Sequence, residues 1–246
     1  MSMIPIIDAH VHLWDPTLFP MPWLADVPPL NHAFGIDAYA RDTMGEPIVG
    51  IVVVETGVVP HYALLEAQRL VDLAEHTPAV LGIIVAAPLE FGERTQTYLA
   101  ALSKLGGLIK GVRCNVQGDP DPDFCLRDGF VAGVHLLAKY DWTCDLCIRP
   151  DQLPAVTTLI QRSPQIRFVL DHMGKPPLRL RQLDRWRRDL AQVGVEGRKL
   201  VLLAYFLDNK KIGQRQRKFG SSQVLVKQKK GIEKKREVCY SPVKLR

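Results

Sequence analysis

Six short apolar runs, most of them ending in or beside polar residues and most followed by a segment of helical spacing, limit what this chain can fold into. They are Ile4 to His12, Ile48 to Glu55, Val80 to Ala87, Leu108 to Val116, Thr143 to Ile148 and Ile166 to Asp171. Runs this short and this rich in β-branched residues read as buried strands. Between or after them, His61 to His76, Thr95 to Lys104, Phe130 to Tyr140, Leu153 to Arg162 and Leu183 to Val193 space their apolar residues as helices do. Such alternation builds βα units around a parallel sheet. The expected class is therefore α/β, a TIM-like (β/α) barrel with its chemistry at the C-terminal ends of the strands. A doubly wound open sheet is the alternative, but no glycine-rich phosphate loop follows the first run. The proline-rich stretch from Asp15 to Pro29 reads as a long loop covering one end of the domain.

The pattern does not last to the end. Residues 1–197 contain all seven histidines and carry 17 basic against 23 acidic residues, whereas 198–246 carry 15 basic and 3 acidic. We therefore divide the chain into a barrel domain, 1–197, and a divergent basic tail, 198–246, expected to be poorly ordered. Within the tail, Lys199 to Leu207 is apolar enough for a seventh strand or a short helix, and Val224 to Val226 for a brief strand. The barrel should thus be incomplete, with about six to seven of eight strands. No run of about 18 apolar residues occurs, which argues against a helical membrane span. Five cysteines do not read as a disulfide framework, and the N-terminus lacks the features of a secretory signal, so a cytoplasmic location is expected.

The strand ends carry the candidate chemistry. His10 and His12 alternate on the first strand and so share a face, where two imidazoles can ligate one divalent cation. Glu55 ends the second strand, a costly place for a carboxylate unless it is paired, hydrated or bound to a cation; capping the next helix is its plainer role. Arg113 lies within the fourth strand, suited to grip a substrate carboxylate or to make a structural salt bridge. His172 closes the sixth strand, placed to ligate a metal or orient a carbonyl, and Asp171 beside it is read as structural. Cys144 and Cys147 have redox-motif spacing, but they lie in a strand and read as buried thiols. His135 falls on an apolar helix face and is expected in the core.

Taken together, Ile7-Asp8-Ala9-His10-Val11-His12-Leu13-Trp14-Asp15-Pro16, Val53-Val54-Glu55, Gly111-Val112-Arg113 and Leu170-Asp171-His172-Met173-Gly174-Lys175-Pro176 resemble the amidohydrolase-related proteins. The likeness covers about residues 4–192 and is nearest to the lactonase branch, which includes L-fuconolactonase and muconolactone-type enzymes. It implies a hydrolase of small lactones bearing hydroxyl or carboxylate groups. By that likeness His10 and His12 are the metal pair, Arg113 the substrate-facing arginine, and His172 and Glu55 the catalytic positions. One divalent, zinc-like cation is implied, although members of the branch differ in metal use and metal-independent operation is compatible with the pattern. The family pattern ends in a Gly-Ser-Asp-Trp-Pro motif whose aspartate is the general base. Here Phe219-Gly220-Ser221-Ser222 is followed by Gln223, so that acid is missing from the sequence. A truncated, alternatively spliced or frame-shifted product would account for both this and the change in charge.

The leading functional expectation is lactone hydrolysis on a small-molecule substrate. The rivals are a catalytically impaired, ligand-binding remnant and a decarboxylase or amide hydrolase on the same barrel. The basic tail could give salt-sensitive attachment to nucleic acid or anionic membrane. It has few aromatics to stack bases, so no specific nucleic acid is expected as a partner.

Overall fold

A computed structural model describes residues 5–178, 183–196, 200–205 and 224–228. Strands and helices alternate through β1 (Ile6–Val11), α1 (Ile36–Asp42), β2 (Ile48–Val54), α2 (Ala63–Glu75), β3 (Val80–Ala86), α3 (Gln96–Ser103), β4 (Ile109–Asn115) and α4 (Asp128–Leu136). They continue through β5 (Thr143–Cys147), α5 (Leu153–Arg162), β6 (Arg167–Leu170), α6 (Leu183–Glu196), β7 (Leu200–Tyr205) and β8 (Val224–Gln228). Strands pair in chain order in one sheet, β1 to β7 parallel throughout, and β8 joins β7 antiparallel. This is the expected α/β barrel in incomplete form: it curls as a barrel does, and β8 runs against the direction that closure requires. None of the described helices is long and apolar enough to cross a membrane.

The two faces of the sheet do different jobs. One face packs on the helices: Ile51, Val53, Ile83, Val85, Val112, Leu146, Phe168 and Leu170 share a core with Leu70, Leu99, Val134, Val156 and Leu159. Each such side chain, fully buried, stabilises by about 1.5–3 kcal/mol before entropy is counted. The alternate positions point into the barrel and hold the polar residues Asp8, His10, Arg113, Asp145 and Asp171, all buried. Register slips occur between β1 and β2, β2 and β3, and β3 and β4. Bulges of this kind add the bend that turns a sheet into a barrel wall.

Helix α4 lies unusually close to the chain after β3. A Cβ on Gly133 would sit 2.0 Å from the Leu89 carbonyl oxygen, and one on Gly129 2.5 Å from that of Glu90. Only glycine lets these backbones meet.

Most element boundaries match expectation within a few residues, and two readings need correction. The helix expected over Phe130 to Tyr140 starts at Asp128 and tightens into a 3₁₀ turn at Leu137–Tyr140, which Asp141 ends in a left-handed conformation. His135 is half-buried rather than in the core: its Nε2 lies 3.1 Å from the Arg162 carbonyl and 3.0 Å from Ser163 Oγ, tying α4 to the end of α5. Cys144 and Cys147 are buried free thiols, as read, and their odd spacing turns them to opposite faces of β5. Lys199 to Leu207 supplies β7 as a strand, not a helix, and the brief strand at Val224 extends to Gln228. The remaining tail, including most of its basic runs and Phe219 to Gln223, lies outside the described residues.

Replacing Gly133 by alanine should therefore destabilise the fold by about 1–3 kcal/mol through overpacking against a backbone that cannot turn aside. In a domain this size that is a drop in Tm of several degrees, measurable by thermal denaturation. An unchanged Tm would show that α4 can shift freely.

Candidate active site

The C-terminal ends of β1, β2, β4 and β6 converge. His10 leaves β1 inside the barrel, and His12 follows it one residue beyond the strand. Their Nε2 atoms lie 3.1 Å apart with the rings nearly perpendicular. His172 brings a third imidazole, its ring centroid 5.0 Å from that of His10. The segment that carries it is strained: His172, Met173 and Lys175 all have left-handed backbones, at φ 51°, 55° and 53°, with Gly174 between them. For residues other than glycine this conformation costs about 1–2 kcal/mol each. Trp186 on α6 offsets part of that cost by donating its indole N–H to the Met173 carbonyl at 2.9 Å.

Beneath the histidines lies a buried ion cluster. Arg113 donates from Nη1 to Glu55 Oε1 at 2.6 Å and from Nε to Asp171 Oδ2 at 2.7 Å. Glu55 Oε2 accepts from the Gly57 N–H at 2.6 Å, so both of its oxygens are engaged. Burial works against the charge of the guanidinium, but Glu55 and then Asp171 more than offset it and keep Arg113 firmly protonated. Burial raises Asp171, but the Arg113 charge, His10 and the hydrogen bond from Arg113 together outweigh it and hold the carboxyl below its usual range. Next to them Asp145 is pushed up to about 8, first by burial and then by repulsion from Asp171. It is thus largely neutral at pH 7, and the cluster keeps two carboxylates on one guanidinium. Sequence analysis offered Arg113 either a substrate carboxylate or a structural pair; it has two protein carboxylates, from β2 and β6.

The imidazoles are uncharged at neutral pH. Burial lowers His10 to about 3 and His172 to about 4; His12 is lowered by burial and by Arg113. Neutral imidazole is the form that binds metal. The hydrogen-bond pattern also fits a cation. His12 Nδ1 faces the Val54 carbonyl at 3.2 Å; a carbonyl only accepts, so Nδ1 carries the hydrogen and Nε2 offers its lone pair. Two nitrogens 3.1 Å apart match adjacent ligands on an ion bound at about 2.0–2.1 Å. His10 Nδ1 and Asp171 Oδ1 are both buried without a hydrogen-bond partner and lie 3.7 Å apart. A cation on the two Nε2 atoms would leave the His10 hydrogen on Nδ1, facing that carboxylate, the arrangement common behind metal-binding histidines. His10, Asp171 and His172 also form a group that could itself hold a metal ion, their ligand atoms all within 4.8 Å of one another.

The cluster opens into a cavity of about 660 Å³. His10, His12, Arg113 and His172 line it; Glu55 stands behind Arg113 and does not. The proline-rich loop and the residues flanking it are its cover, supplying Trp14, Trp23, Leu30 and Phe34. Tyr39 of α1 also faces it and donates to the buried Asp8 Oδ2 at 3.1 Å. Asp8 itself is raised to about 6 by burial. Sequence reasoning passed over Asp145, Tyr39 and the loop aromatics, and took Asp171 as merely structural. A lone acid inside the apolar run Thr143 to Ile148 was the signal available for Asp145.

A family model described as amidohydrolase matches residues 7–195. The chain belongs to that family. An L-fucono-1,5-lactonase from Burkholderia ambifaria is 25% identical over 192 residues, covering 76% of this chain and 63% of its own. The chain thus spans less than two thirds of that relative. Among solved structures, an amidohydrolase from Burkholderia multivorans with bound zinc superposes with a TM-score of 0.68 at 23% identity, over 81% of this chain and 69% of that one. Amidohydrolase 2 from Bifidobacterium longum subsp. infantis gives 0.65 at 23%, over 81% and 72%. At this identity the likeness is one of fold.

Two measurements test the electrostatics. Replacing Arg113 by methionine leaves two buried carboxylates without their cation and should cost about 3–5 kcal/mol in denaturant unfolding; adding Glu55→Gln should recover part of it. The second concerns Glu66, whose Oε1 accepts from Thr56 N–H at 2.9 Å and from its hydroxyl at 2.5 Å. Burial raises this carboxyl from 4.5 to about 7. Between those values the folded state keeps a proton that the unfolded chain has released, so stability falls as pH rises through the window, by up to about 3 kcal/mol. Glu66→Gln cannot ionise and should gain on the wild type between pH 4.5 and 8. A stability difference that does not vary with pH would refute the burial account.

Proposed function

We propose that this chain hydrolyses the ester carbon–oxygen bond of small lactones, with a divalent, zinc-like cation held by His10 and His12. The observation that carries the reading is the pair of Nε2 atoms 3.1 Å apart at the floor of a cavity roomy enough for a small ring. The named activity of the Burkholderia ambifaria relative supports the choice of a lactone over an amide or a carboxylate to be removed. A cation bound there would supply Lewis-acid chemistry, polarising the lactone carbonyl and making water easier to deprotonate. Water forms a bond to the carbonyl carbon, the ring carbon–oxygen bond breaks, and the proton shed by water ends on the ring oxygen as a hydroxyl. His172, neutral at pH 7, is the group to carry that proton. Glu55, with both oxygens engaged, serves to hold Arg113. Asp171 spans Arg113 and His10 and orients both. The four described cysteines are free and buried, which fits a reducing, cytoplasmic setting.

His172→Ala should lower kcat by about 10²–10⁴ in a lactone acid-release assay. His10→Ala and His12→Ala should abolish zinc binding by calorimetry. Full activity in His172→Ala would sink the catalytic assignment. Retained zinc affinity in both other variants would sink the metal site. A second reading, binding without turnover, draws on the engaged Glu55 and predicts lactone binding with no acid released.

A further inference from the structure

The cavity has two unlike sides, and their chemistry narrows the ligand. One side is carbon: Trp14 sits between Phe34 and Trp23, with ring centroids 4.3 Å and 6.1 Å away. Both indole N–H groups are already used. Trp14 donates to the Leu30 carbonyl at 3.2 Å and Trp23 to the Thr56 carbonyl at 2.8 Å. The Thr56 hydroxyl, on the same stretch, is committed to Glu66. This wall therefore offers ring faces and no donor to a sugar hydroxyl; Val58 and Val59 extend it. The rest of the lining includes the polar residues Asp42, Asn115 and Gln117 with the histidines; Arg113 is the one lysine or arginine among the described lining residues, and Glu55 and Asp171 already pair with it. A substrate carboxylate would have to compete with two buried carboxylates for that guanidinium, at a large electrostatic disadvantage.

We infer that the site takes an uncharged lactone with a flat apolar face, an aryl-fused or aryl-bearing ring, in preference to a carboxylated one. The ring lies against Trp14 and Trp23, and its ester group faces the histidines. Offset stacking on aromatic faces favours such a ring beyond the area it buries. This rests on the lactone reading above and selects within it.

The experiment separates binding from turnover by using lactams, which keep the ring and resist hydrolysis. The full chain, loaded with zinc, is titrated by calorimetry with 3,4-dihydroquinolin-2-one and 2-pyridone-4,6-dicarboxylate. The expected order places the aryl lactam at least tenfold tighter than the dicarboxylate, with Trp14→Ala or Trp23→Ala weakening it about tenfold. The comparison on the wild type needs no variant to fold. Equal or tighter binding of the dicarboxylate overturns the inference, and so does failure of both to bind. Acid release from 3,4-dihydrocoumarin is measured separately. An aryl preference without acid release overturns the hydrolysis reading alone; acid release without the preference overturns the ligand class alone.

Discussion

The guanidinium of Arg113 is the interaction on which the rest of the site depends. It is buried on β4 and bonded at once to Glu55 beyond β2 and Asp171 beyond β6, each 58 residues away in sequence. A charge in that position would be prohibitively costly alone. With two carboxylates it becomes a tie across the barrel mouth, fixing three strand ends relative to one another. The second carboxylate exceeds what the guanidinium can neutralise, and the excess sits directly beneath His10. Negative charge placed there raises the affinity of the histidines for a cation and lowers that of the cavity for an anion. One arrangement thus sets the geometry of the strand ends and underlies both the proposed metal site and the proposed selection against carboxylated ligands.

The histidines are tuned by the same surroundings. Burial removes their charge at neutral pH, and the Val54 carbonyl decides which His12 nitrogen is bare. His172 reaches the mouth only because the chain after β6 winds through four left-handed residues. Three of them are not glycine, so the conformation is imposed by its surroundings: by Trp186 on the Met173 carbonyl and by the pairing of Asp171 just before it. Strain held in this way keeps an imidazole in place more firmly than a relaxed loop would.

The fold was legible in the sequence wherever one physical signal dominated. Apolar runs of β-branched residues marked β1 to β6, because a strand buried on both faces has no other composition available. His10, His12, Glu55, Arg113 and His172 drew notice because each is polar within or at the end of such a run, and the structure gathers all five near the mouth. What stayed illegible depends on distance and direction. Asp171 looked structural because its partner Arg113 is remote in sequence. Met173 and Lys175 carry no preference for positive φ. Trp14, Trp23 and Phe34 belong to an aperiodic loop, so nothing local says which way they face. The seven-residue α1 was hidden by its shortness, and His135 by an apolar helix pattern that does not distinguish facing the core from facing the next helix.

The direction of β8 bears on how far the chemistry can go. Parallel strands β1 to β7 all deliver their C-terminal ends to the mouth, where side chains can meet a substrate. Antiparallel pairing aligns Val224 with Tyr205 and Gln228 with Val201, so β8 brings its first residue to the mouth and carries its last to the opposite end. A residue placed at the C-terminal end of that strand would therefore face away from the histidines. The groups that meet at the mouth come from β1, β2, β4 and β6, a set strong in cation ligands and in charge to support them. Its weakness is in proton transfer, because the carboxylates are committed to Arg113 and the imidazoles are held far below their ordinary basicity. For the proposed lactone hydrolysis, binding and polarising a neutral carbonyl would thus be well provided for, and proton transfer would be the demanding step.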